Sequence, residues 1–182
     1  MAKIFGSDYE GLNNELIALR EEGKKIVMCS GTFDLFHIGH MRLLQAAKKE
    51  GDILIVAVKS DRAAALKKDD PPVLSEEIRM ETVSHCLYPD FVILADYDPA
   101  RHVAFDFENK SAFEWLNIFT PEVEKIRPDY FVHEDNDTLV EARVELFNQY
   151  ETRGIIQPRT KGISTTEIID IITTRVYRKM NR

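Results

Sequence analysis

The chain has 2 cysteines among its 182 residues and no Cys-x-x-Cys pair. That excludes a disulfide framework and a thiolate zinc site. Cys29 and Cys86 stand in apolar contexts and read as buried thiols of a reducing compartment. No apolar run reaches the roughly 20 residues of a membrane span, and the first residues lack a signal-peptide pattern. The expectation is therefore a cytoplasmic protein without a membrane partner. The triplets Asn109-Lys110-Ser111 and Asn136-Asp137-Thr138 match the glycosylation pattern but carry no weight without a secretory signal. Neither GxGxxG nor a P-loop occurs, so dinucleotide-binding and ATPase readings lack support. Basic residues are outnumbered, 24 against 31 acidic, for a net charge of −7. Nucleic acid is disfavoured as a partner, because phosphodiester backbones need a basic surface. A local basic pocket for one nucleotide is still compatible with that balance.

At this length and 44% hydrophobic content the chain suits one domain, residues 1–182. Residues 8–22 read as a helix with Leu12, Leu16, Ile17 and Leu19 on one side, so that residues 1–23 form an N-terminal helical extension. Lys25–Ser30 reads as a strand, and the continuous apolar run 52–58 as a parallel strand covered on both faces. Residues 62–74 look like loop, with Asp69-Asp70-Pro71-Pro72 as a breaker. Ser75 caps a helix that opens with Glu76 and Glu77. Strands follow at 91–94, 130–132 and 154–157, with helices from Pro121, over 138–151 and over 164–179. Such alternation predicts an α/β fold, a Rossmann-like parallel sheet with helices on both faces. Ligands then bind beyond the carboxyl ends of the strands.

Residues 31–40 carry the most chemistry: Gly31-Thr32-Phe33-Asp34-Leu35-Phe36-His37-Ile38-Gly39-His40. They lie where a strand turns into a helix. Free N–H groups and the positive dipole end of such a helix attract phosphate. Imidazoles there can hydrogen-bond an anion, and Gly39 lets backbone and ligand approach closely. Far along the chain, Arg159-Thr160-Lys161-Gly162-Ile163-Ser164-Thr165-Thr166-Glu167 opens another predicted helix. Ser164 to Glu167 forms a capping box, and Arg159 supplies a planar cationic fork.

The strand–GTFD–HxGH–helix pattern resembles the cytidylyltransferase family of nucleotidyltransferases. Class I aminoacyl-tRNA synthetases share HIGH, but the chain's size and acidity weaken that reading. The run from Arg159 is similar to the RTxGISTT signature of glycerol-3-phosphate cytidylyltransferases, close also to the choline- and ethanolamine-phosphate enzymes. The resemblance covers about residues 24–176, with a weak stretch near 96–119. It implies transfer of CMP from CTP to a small phosphorylated alcohol, glycerol-3-phosphate-like, with pyrophosphate released. It also implies Mg²⁺ held mainly by the triphosphate, with Asp34 as a conceivable helper, and a homodimer. A phosphate ester is already a nucleophile, so positioning and charge stabilisation suffice.

By that resemblance His37, His40, Lys68 and Arg159 are the catalytic candidates. Gly31, Thr32, Phe33, Asp34, Gly39, Asp135, Thr160, Gly162, Ile163, Ser164 and Thr165 are the nucleotide-binding ones. Asp34 has a plain turn or cap role as its alternative, and Phe33 a packing role. Lys67, Arg79 and Trp115 are the acceptor candidates. Alignment does not choose between Lys67 and Lys68 for the phosphate, and Arg79 can equally pair with Glu76. Relatives read Arg or Lys where this chain has Leu87. Glu134 and Asn136 depart from the family's Gly-Asp-Asp, and residues 96–119 look like an insertion. These departures suggest an altered acceptor. Two alternatives stand beside the main reading. One is an adenylyltransferase that uses ATP to make ADP-heptose, FAD or a similar product. The other is a nucleotide-binding protein without catalysis.

Overall fold

In a computed structural model, residues 1–9, 11–68, 71–97, 121–135 and 140–181 are described. The elements in chain order are β1 (Lys3–Phe5), α1 (Leu12–Glu21), β2 (Ile26–Gly31), α2 (Ile38–Lys48), β3 (Ile53–Lys59), α3 (Asp61–Lys68), α4 (Glu76–Ser84) and β4 (Phe91–Ala95). After these come α5 (Pro121–Ile126), β5 (Tyr130–Glu134), α6 (Val140–Gln149), β6 (Arg153–Gln157) and α7 (Thr165–Met180). The six strands form one sheet in the order β1-β4-β3-β2-β5-β6, and every pairing is parallel. This is the expected Rossmann-like architecture.

Period-two alternation divides the core between the two faces of the sheet. Ile26 and Met28 of β2 join Ile55, Ala57, Ile93 and Phe131 against Leu12 and Leu16 of α1, Val123 of α5 and Phe147 of α6. Val27 and Cys29 join Leu54, Val56, Val92 and Val132 against Leu44 of α2 and Val83 of α4. Cys29 is fully buried, and desolvation pushes its thiol up to about 12, so it is an inert packing group. Cys86 is only half-buried, so the reading of two buried thiols holds for one of them.

Three expectations change. The first 23 residues are more than a helical extension: Lys3–Phe5 pairs with β4 in the same sheet, and Leu12 and Leu16 lie in the core. A three-residue strand carries too little periodicity to be recognised. Residues 61–68 are helical rather than loop. Ser60 Oγ accepts the Ala63 amide at 3.0 Å, which is an N-cap, and three alanines supply propensity. Ser75 occupies the N-cap of α4 but its side chain makes no capping bond to the helix amides. It bonds instead to the Glu77 carboxylate and holds that group below its usual range.

Candidate functional site

The site begins where β2 ends. Phe33 and Leu35 both adopt left-handed backbone, with φ of 54° and 43°, a strain of about 1–3 kcal/mol each. Asp34 between them holds the turn. Its nearly buried carboxylate accepts the amides of Leu35 at 3.0 Å, Val73 at 2.9 Å and Leu74 at 3.0 Å. Phe33 is buried in the core, which fits its packing alternative. A Cβ on Gly31 would lie 3.2 Å from the Phe33 ring, so glycine leaves that ring its place.

Arg79 lies beneath this turn. It is fully buried and donates to the carbonyls of Leu74 at 2.9 Å, Thr32 at 2.5 Å and Lys59 at 2.8 Å, and to Asp61 Oδ1 at 2.6 Å. Four of the five guanidinium donors are thus engaged by the protein itself. This overturns its reading as an acceptor ligand, and its ion-pair partner is Asp61 rather than Glu76. Arg79 braces the turn from below. The sequence hint was its place four residues before the buried Val83, on the inward stripe of α4.

His37 is the N-cap of α2. Its Nδ1 accepts the Gly39 amide at 3.1 Å, and His40 Nδ1 accepts the His37 amide at 3.3 Å. The two imidazoles therefore form a capping box normally made by a hydroxyl and a carboxylate. Their rings stack at 3.8 Å with 17° between planes, and Phe33 and Phe36 flank His40. A ring nitrogen that accepts a hydrogen bond carries no proton, so this network assigns each neutral ring its proton on Nε2. Both histidines then present an Nε2–H donor. Partial burial lowers the pKa of His37, and the Arg159 charge lowers it further against an opposing pull from Glu167.

The second motif folds against the first. Gly162 takes φ 76°, which glycine alone adopts without strain. Ser164 then caps α7 by accepting the Glu167 amide at 3.1 Å. Thr165 Oγ1 donates to the Asp34 carbonyl at 2.8 Å, across 131 residues of sequence. Thr160 Cβ lies 3.6 Å from where a Gly39 Cβ would sit. Asp135, at the end of β5, accepts the Arg159 amide at 3.0 Å and positions that loop. The Arg159 Nε lies 3.9 Å from Glu134 Oε2. Burial raises the Glu134 pKa, opposed by Arg159 and aided by Asp135. Ile163 is half-buried beside these residues in the chain. Two helix N-termini thus meet beyond the carboxyl ends of β2 and β6.

Not every candidate joins this group. Lys67 and Lys68 fall in the last turn of α3, with side chains outside the described residues, and Trp115 lies outside them altogether. Leu87 is 91% exposed in the connection from α4 to β4, at the amino end of the sheet. Within one chain it is therefore remote from the histidines, and it does not mark an altered acceptor pocket beside them. A pair that sequence reasoning missed is Lys59 with the fully buried Glu122, 3.0 Å apart. A cleft of about 420 Å³ lined by Arg20, Lys24, Lys25, Lys125 and Arg127 also opens at the amino ends of the strands, opposite the end where such sheets bind substrate.

Among the described residues no group of three or more His, Cys, Asp or Glu is arranged for a metal. With Asp34 already bonded to three amides, these residues do not fit a protein-held cation. Among the described residues no helix is long and apolar enough to cross a membrane.

A parallel sheet with an HxGH helix start facing a second capped helix start defines a nucleotidyltransferase-like protein. The chain belongs to the cytidylyltransferase-like family, whose model matches residues 28–171. It is similar to the bifunctional protein HldE of Nitratiruptor sp., 31% identical over 169 residues, covering 91% of this chain and 31% of that protein. HldE of Campylobacter jejuni is 32% identical over 163 residues, covering 86% and 30%. The chain thus spans about a third of the length of these relatives. In fold it is similar to a lipopolysaccharide core biosynthesis protein from Thermoplasma volcanium, at 24% identity and a TM-score of 0.55, covering 78% of this chain and 100% of that one.

Proposed function

We propose that this protein transfers a nucleoside monophosphate from a magnesium-bound nucleoside triphosphate to a small phosphorylated alcohol or sugar. An acceptor phosphate oxygen attacks the α-phosphorus, the bond from that phosphorus to the α–β bridging oxygen breaks, and pyrophosphate leaves. His37 and His40 donate from Nε2 to phosphate oxygens, and Arg159 adds a cationic fork. The amides at the start of α7, with Ser164 and Thr165, receive the outer phosphates. Thr32 and Gly39 let the donor approach the α2 amides, and Thr160, Gly162 and Ile163 shape the other wall. Lys68 adds a cation to the triphosphate, while Lys67 and Trp115 serve the acceptor. The supporting observation is the meeting of the two helix starts across the Thr165–Asp34 bond.

The RTxGISTT resemblance supports CTP and a glycerol-3-phosphate-like acceptor. The adenylyltransferase alternative, with ATP and a phosphorylated heptose, stands beside it, and similarity to the bifunctional HldE proteins does not choose between the two. The test is pyrophosphate release with Mg²⁺, pairing CTP, ATP, GTP and UTP with phosphorylated polyols, heptoses and amino alcohols. Release with one donor and one acceptor, abolished by His37→Ala, is the expected result. Nucleotide binding without release for any pair would move the protein to the non-catalytic alternative.

A further inference from the structure

The cleft at the amino ends of the strands is walled by the loops that enter β2, β5 and β6 and by the last turns of α1 and α5. Its volume, about 420 Å³, lies within the range that takes small ligands. Five cations line it, Arg20, Lys24, Lys25, Lys125 and Arg127, against the two carboxylates of Asp129 and Glu151. The whole chain carries a net charge of −7, so the sign is reversed here. A cleft walled by one sign of charge focuses its field on whatever enters.

Cations at the carboxyl ends of helices ordinarily just offset the dipole and the open carbonyls. Part of this set does that. Arg20 donates from one nitrogen to the carbonyls of Ile126 at 2.5 Å and Arg127 at 3.1 Å. Lys25 pairs at 2.8 Å with Asp129, whose second oxygen accepts the Ile26 amide at 2.9 Å. The Lys125 ammonium lies 5.0 Å from the centre of the Tyr9 ring. What is left over is positive. Among the described residues the side chains of Lys24 and Arg127 have no partner, and the exposed Glu151 pairs with neither.

These two unmatched cations stand on different walls, the α1–β2 loop and the α5–β5 loop. An anion with more than one charged group can meet both. A chain of phosphates suits them, since its oxygens accept from a lysine as a point charge and from an arginine as a fork. The candidate phosphate site lies at the other end of the sheet, roughly 20 Å away along the length of β2. We propose that this cleft is a second anion site, which takes a small molecule bearing two or three linked phosphates. It is separate from the candidate nucleotidyl-transfer site and does not depend on that reading.

The probe is inorganic tripolyphosphate, titrated into the full chain without Mg²⁺ and followed by ¹⁵N NMR. Two groups of amides should move with separate midpoints, Gly23, Lys24 and Asp129 in one and Gly39 and Thr165 in the other. Lys24→Glu/Arg127→Glu, with both changes at exposed positions and circular dichroism unchanged, should weaken binding at the first group at least about tenfold. The second group should keep its midpoint within about twofold. Glu151→Gln removes the opposing carboxylate and should tighten the first group, and added salt should weaken it. The proposal fails if the amino-end amides stay still, or if their midpoint is the same in the double variant. An equal response to sulfate at the same ionic strength would reduce the effect to screening and overturn it too. Binding of poly-glutamate with tripolyphosphate inert would also overturn it and assign the cleft to an acidic protein segment. Stillness at Gly39 and Thr165 alone would count against the enzymatic reading and leave the second site standing.

Discussion

Replacing Arg79 with methionine tests whether the brace beneath the Asp34 turn is structural. Methionine keeps most of the stem's packing volume while removing the guanidinium. The carbonyls of Leu74, Thr32 and Lys59 then lose a donor together. At about 1 kcal/mol for each, the low end for an unsatisfied buried group, the loss is about 3 kcal/mol. The half-exposed Asp61 side chain rehydrates and adds little. Against a total stability of about 5–15 kcal/mol the change is large, and it lowers Tm by about 6–12 °C. Urea melts followed by circular dichroism, without ligand, measure it by linear extrapolation. A loss under about 0.5 kcal/mol, the range of ordinary surface substitutions, would refute the reasoning. If the acceptor KM rose at the same time, Arg79 would return to the acceptor site.

Other expectations concern the candidate phosphate site. ¹⁵N NMR of the free protein should show His37 protonated at Nε2 and titrating below 6.5, the direction set by its partial burial and by Arg159; a free value above 6.5 would contradict the network. Because the folded form binds fewer protons, this contribution to stability is present above pH 6.5 and lost as pH falls through the lower, folded value. Adding triphosphate should raise the His37 value. Gly39→Ala would put a Cβ 2.9 Å from the His37 ring, so turnover should fall at least about tenfold. Its stability should hold, because alanine favours the helix by about 1 kcal/mol. Thr165→Val removes the donor to the Asp34 carbonyl and should cost about 1 kcal/mol along with nucleotide affinity. Unchanged kcat/KM in that variant would show that the two helix starts do not depend on that bond.

The fold was legible where sequence and burial agree. Strand β3 is apolar without a break because helices cover both of its faces, and the motif at 31–40 announces a strand-to-helix turn through its own residue types. The capping role of Ser164 was equally readable, since a hydroxyl three residues before an acid is a local signal. What escaped depends on distant partners. Arg79 shows its role only when carbonyls from three separate segments converge on it. The imidazole capping box depends on ring orientation, which spacing alone does not express. Helix α3 was hidden by the prolines that follow it, while its cap, Ser60, lies at the end of a strand. Leu87 misled because motif position says nothing about which end of the sheet a loop occupies.

The histidines stand on a helix fed by the central strand β2, whereas the second half of the candidate site hangs from the edge strand β6 and a helix with no buried residue. Elements so lightly held open locally, at a lower free energy than the core. Heating should therefore inactivate the protein before it unfolds it. Catalysis would fade when the β6 margin lifts away, while β2, β3 and β4 still give the circular dichroism of an intact molecule.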